Sequence, residues 1–250
     1  MDFTVERIKE YSSLFKRELI KHHYAFLNAS ETQRWLDISE RDIKNFQQCW
    51  DELTLDQYMG DGGTYRYRRY GQLQKSKNST CLTLHEHGPY IQSSTINQLN
   101  GGVARYFDPL TKQFLMSPVL EKIILFLSEV YDAATGMAND WNIRLHPYRI
   151  LANERENGKP TPEGLHRDGV TYIATLMINR VNIEGGTTII TDNHSQILYE
   201  KTLILPLDLI VADDALTMHE VSSVQACYPN KVSCRDVLVI AFTIQGEQHD

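Results

Sequence analysis

The change in hydrophobic pattern near residue 142 constrains the fold more than any other feature of this chain. Beyond it, short apolar and β-branched runs alternate with turn signals such as Gly185-Gly186. Because these turns recur about every 8–12 residues, the pattern favours a β-sandwich or barrel over a parallel α/β sheet. The predicted strands are Tyr172–Ile178, Thr187–Thr191, Leu198–Leu205, Leu207–Val211 and Val237–Ile244.

The first half of the chain reads as helical instead. Ser117 suits a helix N-cap, Pro118 the first helical position, and Gly136 the left-handed residue that ends a helix. Ser39 with Asp42 resembles a capping box and predicts another helix. A further apolar stripe at helical spacing lies near the N-terminus. It consists of Phe3, Ile8, Tyr11, Leu14, Phe15 and Leu19.

Composition excludes several classes of protein. A formal net charge of −7 provides no basic field for a nucleic-acid partner. The chain shows no signal-peptide pattern, and no apolar run approaches the ~18 residues of a membrane span. The cysteines form no C-x-x-C pair, which argues against a zinc ribbon or a disulfide framework. We therefore expect a cytoplasmic protein with free thiols at Cys49, Cys81, Cys227 and Cys234.

A polar segment with two prolines, residues 153–164, predicts a long loop. It comes directly before a His-x-Asp motif, where a lid over an active site would be useful. No repeat, low-complexity segment or clear linker divides the sequence. We therefore expect one domain over residues 1–250, with a helix-rich part at 1–60.

The His-x-Asp motif consists of His166 and Asp168. On a strand, residues i and i+2 point to the same face, so both side chains can reach one ion. A third ligand must come from a later strand, and His219 lies at the end of the β-rich region. Two imidazoles and one carboxylate form the facial triad that leaves positions open for O₂ chemistry on Fe(II).

Arg235 adds a second requirement to this site. It opens the last predicted strand, and a strand entering the core does not bury a lone guanidinium cheaply. Arginine binds a carboxylate through two parallel hydrogen bonds, and the distal carboxylate of 2-oxoglutarate is a suitable partner. The alternative is a structural ion pair between Arg235 and Asp236 or another acid.

The order and spacing of His166-x-Asp168, His219 and Arg235 resemble those of the 2-oxoglutarate/Fe(II) dioxygenases of double-stranded β-helix (jelly-roll) fold. Within them, the chain resembles the bacterial subfamily of free amino-acid hydroxylases that includes L-isoleucine 4-hydroxylase. Further segments carry this resemblance. They are Tyr65–Tyr70, Gly101–Leu110, His146–Arg149, Leu165–Gly169, Gly185–Thr187 and Cys234–Leu238.

The resemblance implies an α+β fold whose jelly-roll core, mainly residues 65–244, is flanked by N-terminal and central helices. It implies Fe(II) as the metal and 2-oxoglutarate as the cosubstrate, with Arg235 and Thr243 at the distal carboxylate. The implied reaction hydroxylates a free L-amino acid or a close derivative, consumes O₂, and releases succinate and CO₂.

An amino-acid substrate requires a further cation for its own carboxylate. Among the arginines that qualify, we favour Arg149, which precedes the predicted loop, and Arg105, which lies in a glycine-rich segment. The other arginines that qualify are Arg66, Arg68 and Arg69.

Other readings of the same residues stay open. A jelly roll also serves as a non-catalytic, cupin-like module that binds a metal or a small molecule. A dioxygenase of this class can also act on a peptide or on a carrier-bound residue. Desaturation and sulfoxidation begin with the same chemistry as hydroxylation, and the sequence leaves the oligomeric state open.

Overall fold

The structure is a computed structural model that describes residues 13, 15–94, 96 and 101–246. The predicted stripe residues Phe3, Ile8, Tyr11 and Leu14 lie outside the described residues, whereas residues 15–22 are helical. No helix in these described ranges is both long and apolar enough to cross a membrane. The helices are α1 (15–22), α2 (Ala29–Trp35), α3 (Glu40–Gln48), α4 (Lys112–Leu115) and α5 (Pro118–Thr135).

The helix boundaries follow the capping residues. Ser117 Oγ accepts a hydrogen bond from the Val119 N–H, and Gly136 ends α5 with a φ of 80°. Ser39 Oγ accepts from the Asp42 N–H at the start of α3. Both predicted helices are therefore confirmed, although α3 continues only as a 3₁₀ turn at Cys49–Glu52.

The strands of the described residues form antiparallel sheets. The strands are β1 (Tyr24–Leu27), β2 (Thr54–Leu55), β3 (Arg66–Arg68), β4 (Gly71–Lys75), β5 (Leu82–Leu84), β6 (Trp141–Leu151), β7 (Tyr172–Val181), β8 (Ile183–Gly185), β9 (Thr187–Asp192), β10 (Ile197–Thr202), β11 (Leu209–Asp213), β12 (Thr217–Val221), β13 (Val224–Ala226) and β14 (Cys234–Ile244). The largest sheet has the order β1-β11-β7-β14-β6-β3-β2, with β4 pairing β6 and β5 pairing β4. The smaller sheets are β10-β9-β12 and β13-β8.

The expectation of a helical first half is wrong in part. Strands β1 to β5 lie there, and β3 and β4 pair with β6, which the hydrophobic pattern did not indicate. Short strands of this kind are held by partners far away in sequence, so local periodicity does not report them. The α+β class and the antiparallel core are confirmed.

Alternation along β14 separates the two faces of the large sheet. Leu238 and Phe242 pack in the same cluster as the buried face of α5. Val237 and Ala241 point the other way, into a second cluster with residues of β7 and β9. Arg235 is in phase with this second set, because side chains of a strand alternate between the faces. The guanidinium therefore enters the interior of the jelly roll.

Candidate metal centre

Two backbone hydrogen bonds place the His-x-Asp motif beside β12. His166 N–H donates to His219 O at 3.0 Å, and His219 N–H donates to His166 O at 2.8 Å. The motif is an isolated bridge just before β7 rather than the start of a regular strand. This bridge brings together two histidines that are far apart in sequence.

The side chains of His166, Asp168 and His219 converge. Their ligand atoms all lie within 4.8 Å of one another, and His219 Nε2 is 3.4 Å from Asp168 Oδ2. His166 Nδ1 is 2.9 Å from the Gly164 carbonyl, which can only accept, so Nδ1 carries the proton and Nε2 is left for a metal. Burial lowers the pKa of His219, which favours the neutral imidazole that binds metals. The donor set fits a ferrous ion.

Asp214 supports the turn that carries Asp168, and sequence reasoning missed it. Its carboxylate is buried and accepts from the Asp168 N–H at 3.1 Å and from the Val170 N–H at 2.9 Å. Burial and the charge of Asp168 raise the pKa of Asp214. The turn residue Gly169 has a φ of 70° between these two contacts. No sequence motif marks this role, since it depends on a contact between distant turns.

A cavity joins the three predicted ligands to Arg235. It encloses about 720 Å³ of empty space, part of it open to solvent. Val237, Val239 and Ala241 of β14 give it an apolar wall. From the predicted loop, Pro160, Thr161 and Glu163 also line it.

The guanidinium of Arg235 is buried without an anion. The residue is 2% exposed, and its Nε and Nη2 have no hydrogen-bond partner among the described residues. Burial and the neighbouring Arg180 lower the pKa of Arg235 to about 10. Asp236 does not pair with it, because Asp236 lies on the other face and binds Arg149 instead. Two unpaired N–H groups inside a cavity fit the distal carboxylate of 2-oxoglutarate.

Thr243 is not near Arg235. It lies eight residues further along β14, about 27 Å at the usual rise of a strand, and it does not line the cavity. Arg149 is also outside the cavity. It donates to both carboxylate oxygens of Asp236, at 2.8 and 2.9 Å, and to Asp51 at 3.0 Å. The structure therefore does not support the predicted roles of Thr243 and Arg149, because neither side chain reaches the site.

Arg105, the other favoured arginine, is buried in a smaller cavity that the predicted metal ligand Asp168 also lines. Arg66 and Arg68 line the same cavity. Three of the five candidate arginines therefore line the same small cavity, although they come from separate segments of the chain.

The fold and the donor set define a class, and comparison with known proteins agrees. The sequence profile of the 2OG-Fe dioxygenase family matches residues 47–241, and the chain belongs to that family. It is therefore a 2-oxoglutarate-dependent dioxygenase that uses Fe(II) and O₂ on a small-molecule substrate. The predicted family, enzyme class and cofactors are confirmed. The alternative of a non-catalytic binding module is wrong, because the chain belongs to an enzyme family.

Individual relatives cover most of the chain. L-isoleucine-4-hydroxylase from Bacillus thuringiensis is 26% identical over 228 residues, 85% of this chain and 92% of the relative. The crystal structure of a BsmA homologue from Methylobium petroleophilum PM1 is 30% identical with a TM-score of 0.85, and covers 95% of this chain and 94% of its own. IDO from Bacillus thuringiensis has a TM-score of 0.76 at 20% identity, with 95% and 96% covered, and shows the shared fold.

Proposed function

We propose that the chain hydroxylates a free L-amino acid or a close derivative, with succinate and CO₂ as the products of 2-oxoglutarate. The observation that carries the proposal is one cavity with the triad of ligand atoms and the unpaired guanidinium of Arg235. The match to L-isoleucine-4-hydroxylase over most of both chains supports an amino-acid substrate.

The residues of the site would bind two different groups, a metal ion and a carboxylate. His166, Asp168 and His219 would hold Fe(II), and Arg235 would hold the distal carboxylate of 2-oxoglutarate. When bound, Fe(II) and 2-oxoglutarate together activate O₂ and supply the oxidant that inserts oxygen into a C–H bond. The protein contributes orientation and a fixed electrostatic environment.

The loop before the metal motif covers this chemistry. Thr161 Oγ1 donates to the Val221 carbonyl at 3.2 Å and accepts from the Val221 N–H at 3.0 Å. These two bonds fasten the loop to β12, two residues from His219. Together with the apolar wall of β14, the loop limits the access of water to the reacting centre.

A substrate screen tests the proposal. Each of the twenty L-amino acids is incubated with the enzyme, Fe(II), 2-oxoglutarate and O₂, and succinate is measured together with a product heavier by one oxygen atom. We expect at least one amino acid to raise succinate formation well above the substrate-free rate and to gain oxygen. The His219→Ala variant is the control for background oxidation by free iron.

The same screen separates the competing substrates. Succinate formation that rises only with a peptide or a carrier-bound residue would contradict a free amino-acid substrate. A product that loses two hydrogens instead of gaining an oxygen would indicate desaturation.

A further inference from the structure

A second, smaller cavity adjoins the metal centre. It encloses about 420 Å³ of empty space and shares Asp168 and Glu163 with the larger cavity. Arg235 lines only the larger cavity, whereas Arg68 and Arg105 line only the smaller one. Arg66 and the predicted metal ligand Asp168 line both cavities, so they form part of the wall between the cavity that contains Arg235 and the one that contains Arg68 and Arg105.

Three guanidinium groups of this smaller cavity are buried. Arg66, Arg68 and Arg105 are 7%, 1% and 3% exposed. Arg66 and Arg68 share a face of β3, because they are two residues apart on a strand. Arg105 comes from a separate segment that is fixed by a bridge to Tyr90. The chain therefore concentrates positive charge here from distant parts of the sequence.

The rings around these arginines hold the guanidinium planes in place. Arg68 Cζ lies 3.7 Å from the centroid of the Phe107 ring, and Arg105 Cζ lies 4.6 Å from that of Tyr90. Stacking on aromatic faces stabilises a guanidinium and leaves its in-plane N–H groups for an anion.

Among the described residues, Asp56 is the acid that forms ion pairs with this cluster, while Glu163 and Asp168 line the same cavity. Asp56 Oδ2 accepts from Arg66 Nε at 2.8 Å and lies 3.9 Å from Arg68 Nη1. Arg105 Nη2 donates to the neutral amide oxygen of Gln92 at 2.7 Å.

A neutral histidine takes a further hydrogen bond from the cluster. Burial and the charge of Arg68 hold the pKa of His146 well below its usual range, so the ring accepts from Arg68 Nη2 at 2.6 Å.

Two buried N–H groups are left over. The Nε atoms of Arg68 and Arg105 have no hydrogen-bond partner among the described residues. A buried cation without a matching anion is costly, and its desolvation is recovered only when a partner is bound. The cluster therefore has the charge and the free donors of a carboxylate site.

We propose that Arg66, Arg68 and Arg105 form the subsite for the carboxylate of the substrate, separate from the 2-oxoglutarate site at Arg235. The inference rests on the proposed amino-acid hydroxylase function and deepens it. A zwitterionic substrate would place its carboxylate in the smaller cavity and its side chain toward the apolar wall of the larger one.

Glu163 supplies the opposite charge for the same substrate. Its side chain lines both cavities, and Oε1 lies 3.5 Å from His166 Nε2. It is an acid between the arginine cluster and the metal-binding residues, where the ammonium group of an α-amino acid would lie. The subsite thus selects α-amino acids with both charged groups free.

Binding of matched ligands tests the carboxylate subsite. The Fe(II)- and 2-oxoglutarate-loaded enzyme is titrated calorimetrically without O₂, using L-isoleucine and L-isoleucine amide. We expect the wild type to bind the acid at least about tenfold more tightly than the amide, and Arg105→Gln to bring this ratio close to one. The affinity for 2-oxoglutarate should stay within about twofold. Arg149→Gln, which removes a partly buried ion pair outside the cavity, should keep the wild-type ratio.

Several outcomes would overturn the subsite. Equal weakening of acid and amide in Arg105→Gln would show a purely structural role, as would a lost preference in the Arg149→Gln control. A large loss of 2-oxoglutarate affinity in Arg105→Gln would place the cosubstrate at this cluster. Arg105→Lys keeps the charge and should recover part of the preference for the acid.

The ammonium contact has its own comparison. Glu163→Gln should weaken L-isoleucine about tenfold but change the affinity for 2-hydroxy-3-methylpentanoate, which lacks the amine, by less than about twofold. Equal effects on both ligands would remove Glu163 from the subsite.

Failure of the proposed function is distinguishable from failure of the subsite. If the wild type binds none of the twenty amino acids, the proposed amino-acid function is wrong. The subsite is then tested separately by measuring whether 3-methylbutanoate or its amide protects the enzyme against thermal unfolding. Protection by the acid alone, absent in Arg105→Gln, would retain the carboxylate subsite. Equal protection by acid and amide in the wild type would overturn it.

Discussion

At the scale of single residues, each charged side chain of the site is defined by its partners or by the lack of them. Arg149 and Arg235 both carry a guanidinium and lie on adjacent strands. Arg149 is satisfied by Asp236, whereas Arg235 keeps two buried N–H groups without an acceptor. Because a buried cation is stable only with an anion, the unsatisfied arginine is the one suited to a ligand.

Replacing His219 tests the metal centre. His219→Ala removes one of three proposed ligands. Replacing a residue that only supports a metal ligand already costs up to about 100-fold in metal affinity or activity. We therefore expect Fe(II) affinity and turnover each to fall by at least about 100-fold. The fold should persist, since β12 keeps its backbone pairing with β9. The measurement is the visible absorption band of the anaerobic Fe(II)–2-oxoglutarate complex, and a band of wild-type strength would remove His219 from the triad.

Replacing Arg235 tests the cosubstrate site. Arg235→Gln should raise the Kd of 2-oxoglutarate about 30-fold or more, because removing one partner of a desolvated charge pair costs roughly 2–5 kcal/mol. The Fe(II) affinity should stay near that of the wild type. Thr243→Val is the matched control, since Thr243 lies far along the same strand. A rise in the Kd of 2-oxoglutarate in the control would restore Thr243 to the site.

At the scale of elements, turns between strands set the room around the site. Gly186 links β8 to β9 with a φ of 71°, a conformation that glycine adopts readily. A Cβ on Gly186 would lie 3.2 Å from Arg235 Cδ and from Arg180 Nη1. The turn that the sequence indicated as a simple connection therefore also makes space for the cationic end of the cavity.

The Gly186→Ala variant tests this element. The substitution strains a left-handed residue by about 1–2 kcal/mol and pushes against Arg235. We expect a lower Tm and a weaker affinity for 2-oxoglutarate, with Fe(II) binding retained. Gly136→Ala is the control, because Gly136 has a φ of 80° but nothing within 4 Å of the added Cβ. It should lower the Tm alone, and equal effects of both variants on 2-oxoglutarate would contradict a role for the turn.

At the scale of the whole molecule, the large sheet separates two apolar clusters, one on each of its faces. The outer face packs on the helices, including α5, whereas the inner face packs on β9 and lines the cavity together with β12. Helices thus bury the large sheet from outside, while the smaller sheet brings His219 over it. The packing of the described residues leaves some cysteines at the surface and buries others.

Thiol labelling reports on this packing. Cys81 and Cys227 are exposed, whereas Cys49 and Cys234 are buried, and burial raises the pKa of each buried thiol to about 11. At about pH 8 these two are protonated and inaccessible, so the exposed pair should react first with iodoacetamide. Mass spectrometry should show two rapid modifications in native protein and four after unfolding. Rapid labelling of Cys234 would contradict the burial of β14.

The sequence alone determined the features that depend on local interactions or on the types of side chain present. The cap at Ser117 and the end at Gly136 define α5 through hydrogen bonds within a few residues. The order His166, Asp168, His219 and Arg235 indicated the class of enzyme, because that chemistry requires those side-chain types.

Only the tertiary structure decided which arginines face the site. Arg149 and Arg235 lie on opposite faces of one sheet, and this depends on the register between β6 and β14. Arg66 and Arg68 reach Arg105 because β3 pairs with β6, a contact between segments far apart in sequence. Residue type follows from the sequence, but the direction of a side chain on a strand follows from strand pairing, which acts over long range.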